Sequence, residues 1–204
     1  MRVVPPWALL SAAAAPVLLI GGWTVAAARQ PGGFDPVAGT ISALAARDAT
    51  DRWIMTAALL GLGLCHCVTA AGLRPLRRAG RLVLALGGVA TVAVAAFPLP
   101  AGGGSSAAHG VAAAVAFAAL ALWPAAAIPG RRAGLPASGG TTAAVLLAAP
   151  VAWFAVELVT GGPRIGLAER VAAGAEALCP LLVVLALRRS SRLSPRRWGA
   201  GGGR

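Results

Sequence analysis

Six carboxylates and two histidines are the side chains of this 204-residue chain best suited to acid–base or metal chemistry. Asp35, Asp48 and Asp51 fall in one polar stretch, PGGFDPVAGTISALAARDATDRW (residues 31–53), while Glu157, Glu169 and Glu176 lie within or at the edge of apolar runs. A carboxylate in such a run is costly to keep there, so each is a candidate for holding a ligand, an ion or a proton. His109 opens one apolar run and His66 lies deep in another, flanked by Cys65 and Cys67. The Cys-His-Cys run invites a metal reading, but successive helical side chains point about 100° apart and do not converge on one tetrahedral ion. His66 therefore reads as an interhelical hydrogen-bonding residue and the cysteines as packing. If any metal is held, His109 with Asp35 or Glu176 is the donor set to expect. The bland alternative is that Arg52 or Arg170 pairs with Glu157 or Glu176 and only locks the molecule shut.

The elements that must position these residues are membrane helices. Hydrophobic residues make up 58% of the chain, charged residues only 12%, and the mean hydropathy is +0.78. A soluble domain carries about 25% charged residues. Six runs approach the ~20 residues that cross a bilayer: 7–28, 52–73, 82–99, 107–128, 141–160 and 168–187. The expected fold is all-α, a single bundle of six transmembrane helices over 1–187, followed by an arginine-rich disordered tail at 188–204. The first run, although followed by Ala26-Ala27-Ala28 and Arg29, is longer than a usual signal core and reads as a true first helix or signal anchor.

All eighteen basic residues are arginine, and the net charge is +12. Thirteen of them fall in the N-terminus, the second and fourth connectors and the tail, with no acid among them. Five (Arg29, Arg47, Arg52, Arg164 and Arg170) fall on the alternate side, accompanied by Asp35, Asp48, Asp51 and Glu169. The asymmetry predicts that both termini are cytoplasmic and that the 29–51 loop is outside. It also assigns the arginines to membrane orientation rather than nucleic-acid binding, and the tail to contact with anionic lipid.

Within the outer loop, Asp35-Pro36 has the form of a cap followed by Pro at the first helical position. A short helix over 36–46 follows, with Val37, Ile41 and Leu44 on one side. Asp48 and Asp51 have the spacing of a capping box at the start of the second span. Gly61 and Gly63 suit close helix approach, and Gly87-Gly88 centres a third span that reads as scaffold. The connector PAGGGSSAA is an uncharged, mobile lip or merely a loop, and Trp123-Pro124 lies near the inner interface. All six acids and His109 belong to the outer loops or outer halves of helices, with His66 the exception. Asp35, His109, Glu157, Arg170 and Glu176 are thus candidates for an outward-facing polar pocket.

The stretches FDPVAGTISALAARDATDRWIM, HGVAAAVAF and GLAER are similar to those of the DUF998 family of prokaryotic six-helix membrane proteins, a resemblance covering residues 7–187. It implies six helices in one membrane domain. It adds Ser42 and Glu169 to His109 and Arg170 as candidate family positions, and it gives none of them a role.

Four functions stay open. The leading one is binding or transport of a small molecule or lipid through the outer pocket of a multi-pass cell-membrane protein. Against transport, the inner half is short of polar residues and shows no two-half repeat. The second is a metal-assisted intramembrane hydrolase at the outer leaflet, for which no HExxH or GxSxG motif is present. The third is haem binding, disfavoured by the separation of His66 from His109. The fourth is a structural or accessory role without chemistry. Membrane lipids are the expected partners; the sequence identifies no cofactor and no oligomeric state.

Overall fold

The computed structural model describes residues 4–102, 104, 106–127 and 138–193. Six helices carry the chain: α1 (Pro6–Ala28), α2 (Trp53–Gly72), α3 (Arg78–Ala96), α4 (Ala107–Ala127), α5 (Gly139–Thr160) and α6 (Ile165–Leu193). No strand occurs among the described residues. All six are long and apolar enough to cross a membrane. Their outward faces carry Leu10, Val17, Leu64, Val89, Val111, Leu146 and Val159, all exposed. Such a continuous apolar surface is stable only against lipid, and the protein is a multi-pass membrane protein.

Each helix packs on its neighbours in the chain, and α6 closes the ring against α1. Small residues permit close approach between α2 and α3. A methyl group added to Gly88 would meet the Gly63 carbonyl oxygen at 2.6 Å and Cys67 Sγ at 2.8 Å. Glycines at a crossing replace side-chain bulk by backbone contact, the usual route to tight association in lipid. Ser11 on α1 adds polar links, donating to the Cys65 carbonyl at 2.8 Å and accepting from Thr69 at 3.1 Å.

The two ends of the bundle differ. One end gathers the chain start and the 73–77 connector around Leu73, Leu84, Trp123 and Val184, all fully buried. The other gathers the 29–52, 97–106 and 161–164 connectors, with Ile41 and Leu44 packed against Leu19, Met55 and Leu62. This second end, here the connector end, holds the polar groups.

Several expectations change. The 36–46 helix is instead a turn at 36–38 and a four-residue 3₁₀ helix at Ser42–Ala45, with Val37 exposed. Asp35 does cap the turn, accepting from the Val37 N–H at 2.8 Å. The Asp48–Asp51 capping box does not form: no side chain caps α2, Asp48 accepts from the Gly102 N–H at 2.7 Å, and Asp51 pairs with Arg29 at 3.1 Å. That bond and Arg47 N–H to the Leu99 carbonyl tie the 97–106 connector to the 29–52 loop, so the presumed lip is anchored. Trp123, near the C-terminal end of α4, is wholly buried inside the bundle. The third helix begins at Arg78, ahead of the expected 82, and Arg81 caps the end of α2 through the Ala70 and Ala71 carbonyls. The sixth runs on through Leu193, so 188–193 is helical, and 194–204 lies outside the described residues.

Candidate functional site

The site is built where the 29–52 connector docks onto the first turns of α6. A helix start has unpaired N–H groups that need acceptors. Here the Leu167 N–H donates to the Val37 carbonyl at 3.0 Å. Gly166 lets the two backbones touch, since a methyl group there would collide with the Gly39 and Pro36 carbonyls. Arg170 completes the clamp. Its Nη1 lies 2.9, 2.7 and 2.9 Å from the carbonyl oxygens of Pro36, Gly39 and Gly166. Its guanidinium also lies over the rings of Trp23 and Phe34, 5.8 and 5.6 Å from their centroids. This residue is therefore occupied as a backbone staple.

With the connector held, Glu169 points into its backbone. One carboxylate oxygen accepts from the Ile41 N–H, and the other lies 3.0 Å from Ser42 Oγ. The same hydroxyl lies 3.2 Å from His109 Nε2, reaching across from the first turn of α4. His109 Nδ1 donates to the Phe97 carbonyl at 2.9 Å, since a carbonyl oxygen can only accept. Glu169, Ser42 and His109 thus form one hydrogen-bonded chain linking α6, the connector and α4. Glu169 and His109 are 4% and 7% exposed.

Two cavities meet at this chain. On one side an apolar slot of about 480 Å³ runs between α4 and α5. Phe117, Val151, Phe154 and Leu158 wall it, and Thr40, Ser42, Ser106, His109 and Glu169 form its polar end. Phe117 and Phe154 close its depth with ring centroids 5.2 Å apart. On the other side a smaller cavity of about 60 Å³ descends into the bundle. Ser42 and Glu169 line its upper part, and Thr91, His66 and Glu176 also face it. His66 and Glu176 are 1% and 2% exposed. Neither ring nitrogen of His66 nor Oε1 of Glu176 has a hydrogen-bond partner among the described residues.

Of the candidates read from the sequence, Ser42, His109 and Glu169 come together and Glu176 shares the inner cavity. The others lie apart. Asp35 is exposed and caps its turn. Glu157 accepts from Trp153 Nε1 at 3.1 Å and the Arg164 N–H at 3.0 Å, holding the turn after α5. Neither Arg52 nor Arg170 pairs with Glu157 or Glu176; the ion pair among the described residues is Arg29–Asp51. The interhelical hydrogen bond expected of His66 is absent among them as well. No three His, Cys, Asp or Glu side chains among the described residues are placed to share a metal, and His109 is turned toward Ser42 rather than Asp35 or Glu176. Thr40 and Thr91 are polar wall residues that sequence reasoning missed. Small hydroxyl residues are common in connectors and helices, and nothing in their spacing marked them.

No curated protein and no solved structure matches the chain significantly. The family described as "Protein of unknown function (DUF998)" matches residues 12–188, a span that runs from α1 through α6 and includes every residue of the hydrogen-bonded chain. The protein belongs to the DUF998 family of membrane proteins.

Proposed function

We propose that the protein binds a lipid or lipid-like amphiphile in the slot between α4 and α5, with the polar head at Ser42 and His109. One observation carries this reading: a buried polar hydrogen-bonded chain forms the end wall of an otherwise apolar slot. Apolar walls with a few convergent polar groups are the usual composition of a small-molecule site. Phe117 and Phe154 would take the chain of the amphiphile, and the Ser42 hydroxyl and neighbouring Thr40 and Ser106 would take the head. The arginine asymmetry favours a cell-membrane orientation in which the polar end faces outward. Binding is favoured over passage because the polar lining stops at His66 and Glu176, above the apolar core around Leu84 and Trp123.

Native mass spectrometry of the protein released from lipid nanodiscs tests this. The expected result is a retained lipid mass that is lost in Ala155→Trp, which fills the slot. Retention unchanged by that variant, or a bare protein across nanodiscs of different lipid composition, overturns the reading.

A second reading is favoured by the Ser42–His109 pair. A hydroxyl 3.2 Å from an imidazole whose other nitrogen is fixed by the Phe97 carbonyl has the layout of a nucleophile and its base. This hydrolase would act on an acyl lipid in the same slot and would need no metal to activate Ser42. A serine-directed fluorophosphonate that labels the wild type and spares Ser42→Ala would favour it; absence of labelling would leave the binding reading.

A further inference from the structure

The hydrogen-bonded chain has a proton count that its geometry dictates. His109 Nδ1 faces a carbonyl oxygen at 2.9 Å and must carry a hydrogen. A neutral His109 then presents a bare lone pair from Nε2 to Ser42. On its other side, Ser42 faces Glu169, whose second oxygen already accepts from the Ile41 N–H. Were Glu169 ionised and His109 neutral, the hydroxyl would have one hydrogen for two acceptors. One of the contacts at 3.0 and 3.2 Å would then set lone pair against lone pair in a buried site. Buried polar groups left facing this way lose their hydration with no hydrogen bond in return.

One added proton removes the conflict in either of two ways. Protonated Glu169 donates to Ser42 and Ser42 donates to neutral His109; or imidazolium His109 donates to Ser42 and Ser42 donates to ionised Glu169. The two arrangements hold the same protons and differ by two transfers through Oγ: the Glu169 proton moves to Oγ as the Oγ proton moves to Nε2. Each is neutral overall. Arg170, the charged neighbour on α6, spends its Nη1 on three backbone carbonyls and makes no ion pair with Glu169, while its Nη2 is buried with no hydrogen-bond partner among the described residues.

We propose that Glu169, Ser42 and His109 form a proton relay holding one proton more than ionised Glu169 with neutral His109 would, and that water in the inner cavity extends it to His66 and Glu176. A cavity of about 60 Å³ accommodates several waters, because each needs about 10–15 Å³ of such volume and two or more polar partners. The partners are present: both His66 nitrogens and Glu176 Oε1 lack any among the described residues, and Thr91, Ser42 and Glu169 share the wall. From the other elements the cavity is faced by Leu19, Leu59, Phe117 and Leu120, and no arginine lines it. Below it the apolar core closes the path, so the relay communicates with the slot and not with the opposite end of the bundle. The proposal stands on the hydrogen-bond count whether or not the slot holds a lipid.

The test uses full-length protein in nanodiscs at neutral pH, with ¹⁵N-histidine for magnetic resonance and ¹³C-carboxyl glutamate for infrared spectroscopy. His109→Gln assigns the imidazole signals, and Glu169→Gln and Glu176→Gln separate the carboxyl bands. Glu169→Gln keeps one acceptor for Ile41 and one donor for Ser42, so it preserves the packing. The expected result is a protonated Glu169 carboxyl beside a neutral His109, or an ionised Glu169 beside an imidazolium. An ionised Glu169 beside a neutral His109 overturns the relay. Ser42→Ala removes the bridge, so the Glu169 carboxyl band and the His109 ring signals should both move from their wild-type positions; both unchanged in that variant also overturns the relay. For the inner extension, the His66 ring N–H should exchange promptly in D₂O and slow at least tenfold in Ala173→Leu, which fills the cavity. A His66 N–H as protected in the wild type as the core amides refutes the extension.

Discussion

On α6, Glu169 has a backbone N–H and a hydroxyl on its two oxygens, whereas Glu176, seven residues further on, has one oxygen with no partner among the described residues. Both are nearly inaccessible. The difference lies in what packs against each. Glu169 meets a connector whose backbone is not consumed by helix and so has an N–H to offer. Glu176 meets only helices, whose backbone groups are already paired, and is left to a cavity. A buried carboxyl satisfied by loop backbone supports the fold, while one left unsatisfied is kept at the fold's expense, which marks it for work.

Opposite responses to one substitution would break or sharpen this contrast. Glu169→Leu strands the Ile41 N–H, leaves the Ser42 hydroxyl to His109 alone and should cost about 2–4 kcal/mol. It is read as a lower thermal midpoint in detergent. Glu176→Leu removes a buried carboxyl that no described side chain or backbone group holds and should leave the midpoint unchanged or raise it. Equal losses in the two would mean that Glu176 is structural.

A glycine pair on the same helix gives the next largest effect. Gly166→Ala drives a methyl into the Gly39 and Pro36 carbonyls and should cost about 1–3 kcal/mol. It should also open Arg47 and Arg52 to trypsin. Gly174→Ala meets nothing closer than Trp23 at 3.7 Å and should gain about 0.5–1 kcal/mol from helix propensity. Arg170→Lys keeps the charge but loses the guanidinium plane over Trp23 and Phe34, and about 1–2 kcal/mol should be lost by the same melt. The smallest effect belongs to the exposed Arg29–Asp51 pair. Arg29→Gln should shift stability by no more than about 0.5 kcal/mol, in contrast to every change at the docked connector.

The six helices were legible because long apolar runs between arginine clusters admit few other structures in lipid. The close approach at Gly63 and the cap at Asp35 were legible too, since each is a local consequence of residue type, whereas Gly88 as the partner of Gly63 was not. The 36–46 stretch was misread as a helix because its apolar spacing reflects burial of Ile41 and Leu44 under tertiary contacts, not a helical period. Asp48 and Asp51 had capping spacing, but a bond to Gly102 and a pairing with Arg29 competed for them. Ser42 entered only through family resemblance. Its partners lie 67 and 127 residues away, and no local pattern encodes such a meeting. His66 shows the opposite limit: its burial was expected, its want of a partner was not, because the void beside it comes from the sizes of many neighbours together.

The docking of the 29–52 connector on α6 also orders the protein's birth. Ile41 and Ser42 emerge early, but Glu169, Gly166 and Arg170 belong to a helix made after the other five. A nascent chain halted after α5 carries a connector with no acceptor for its donors and no staple across its carbonyls. Cleavage between 36 and 52 should therefore be rapid in that five-helix intermediate and cease when the sixth helix enters. Loss of cleavage in this loop would therefore report the arrival of the sixth helix.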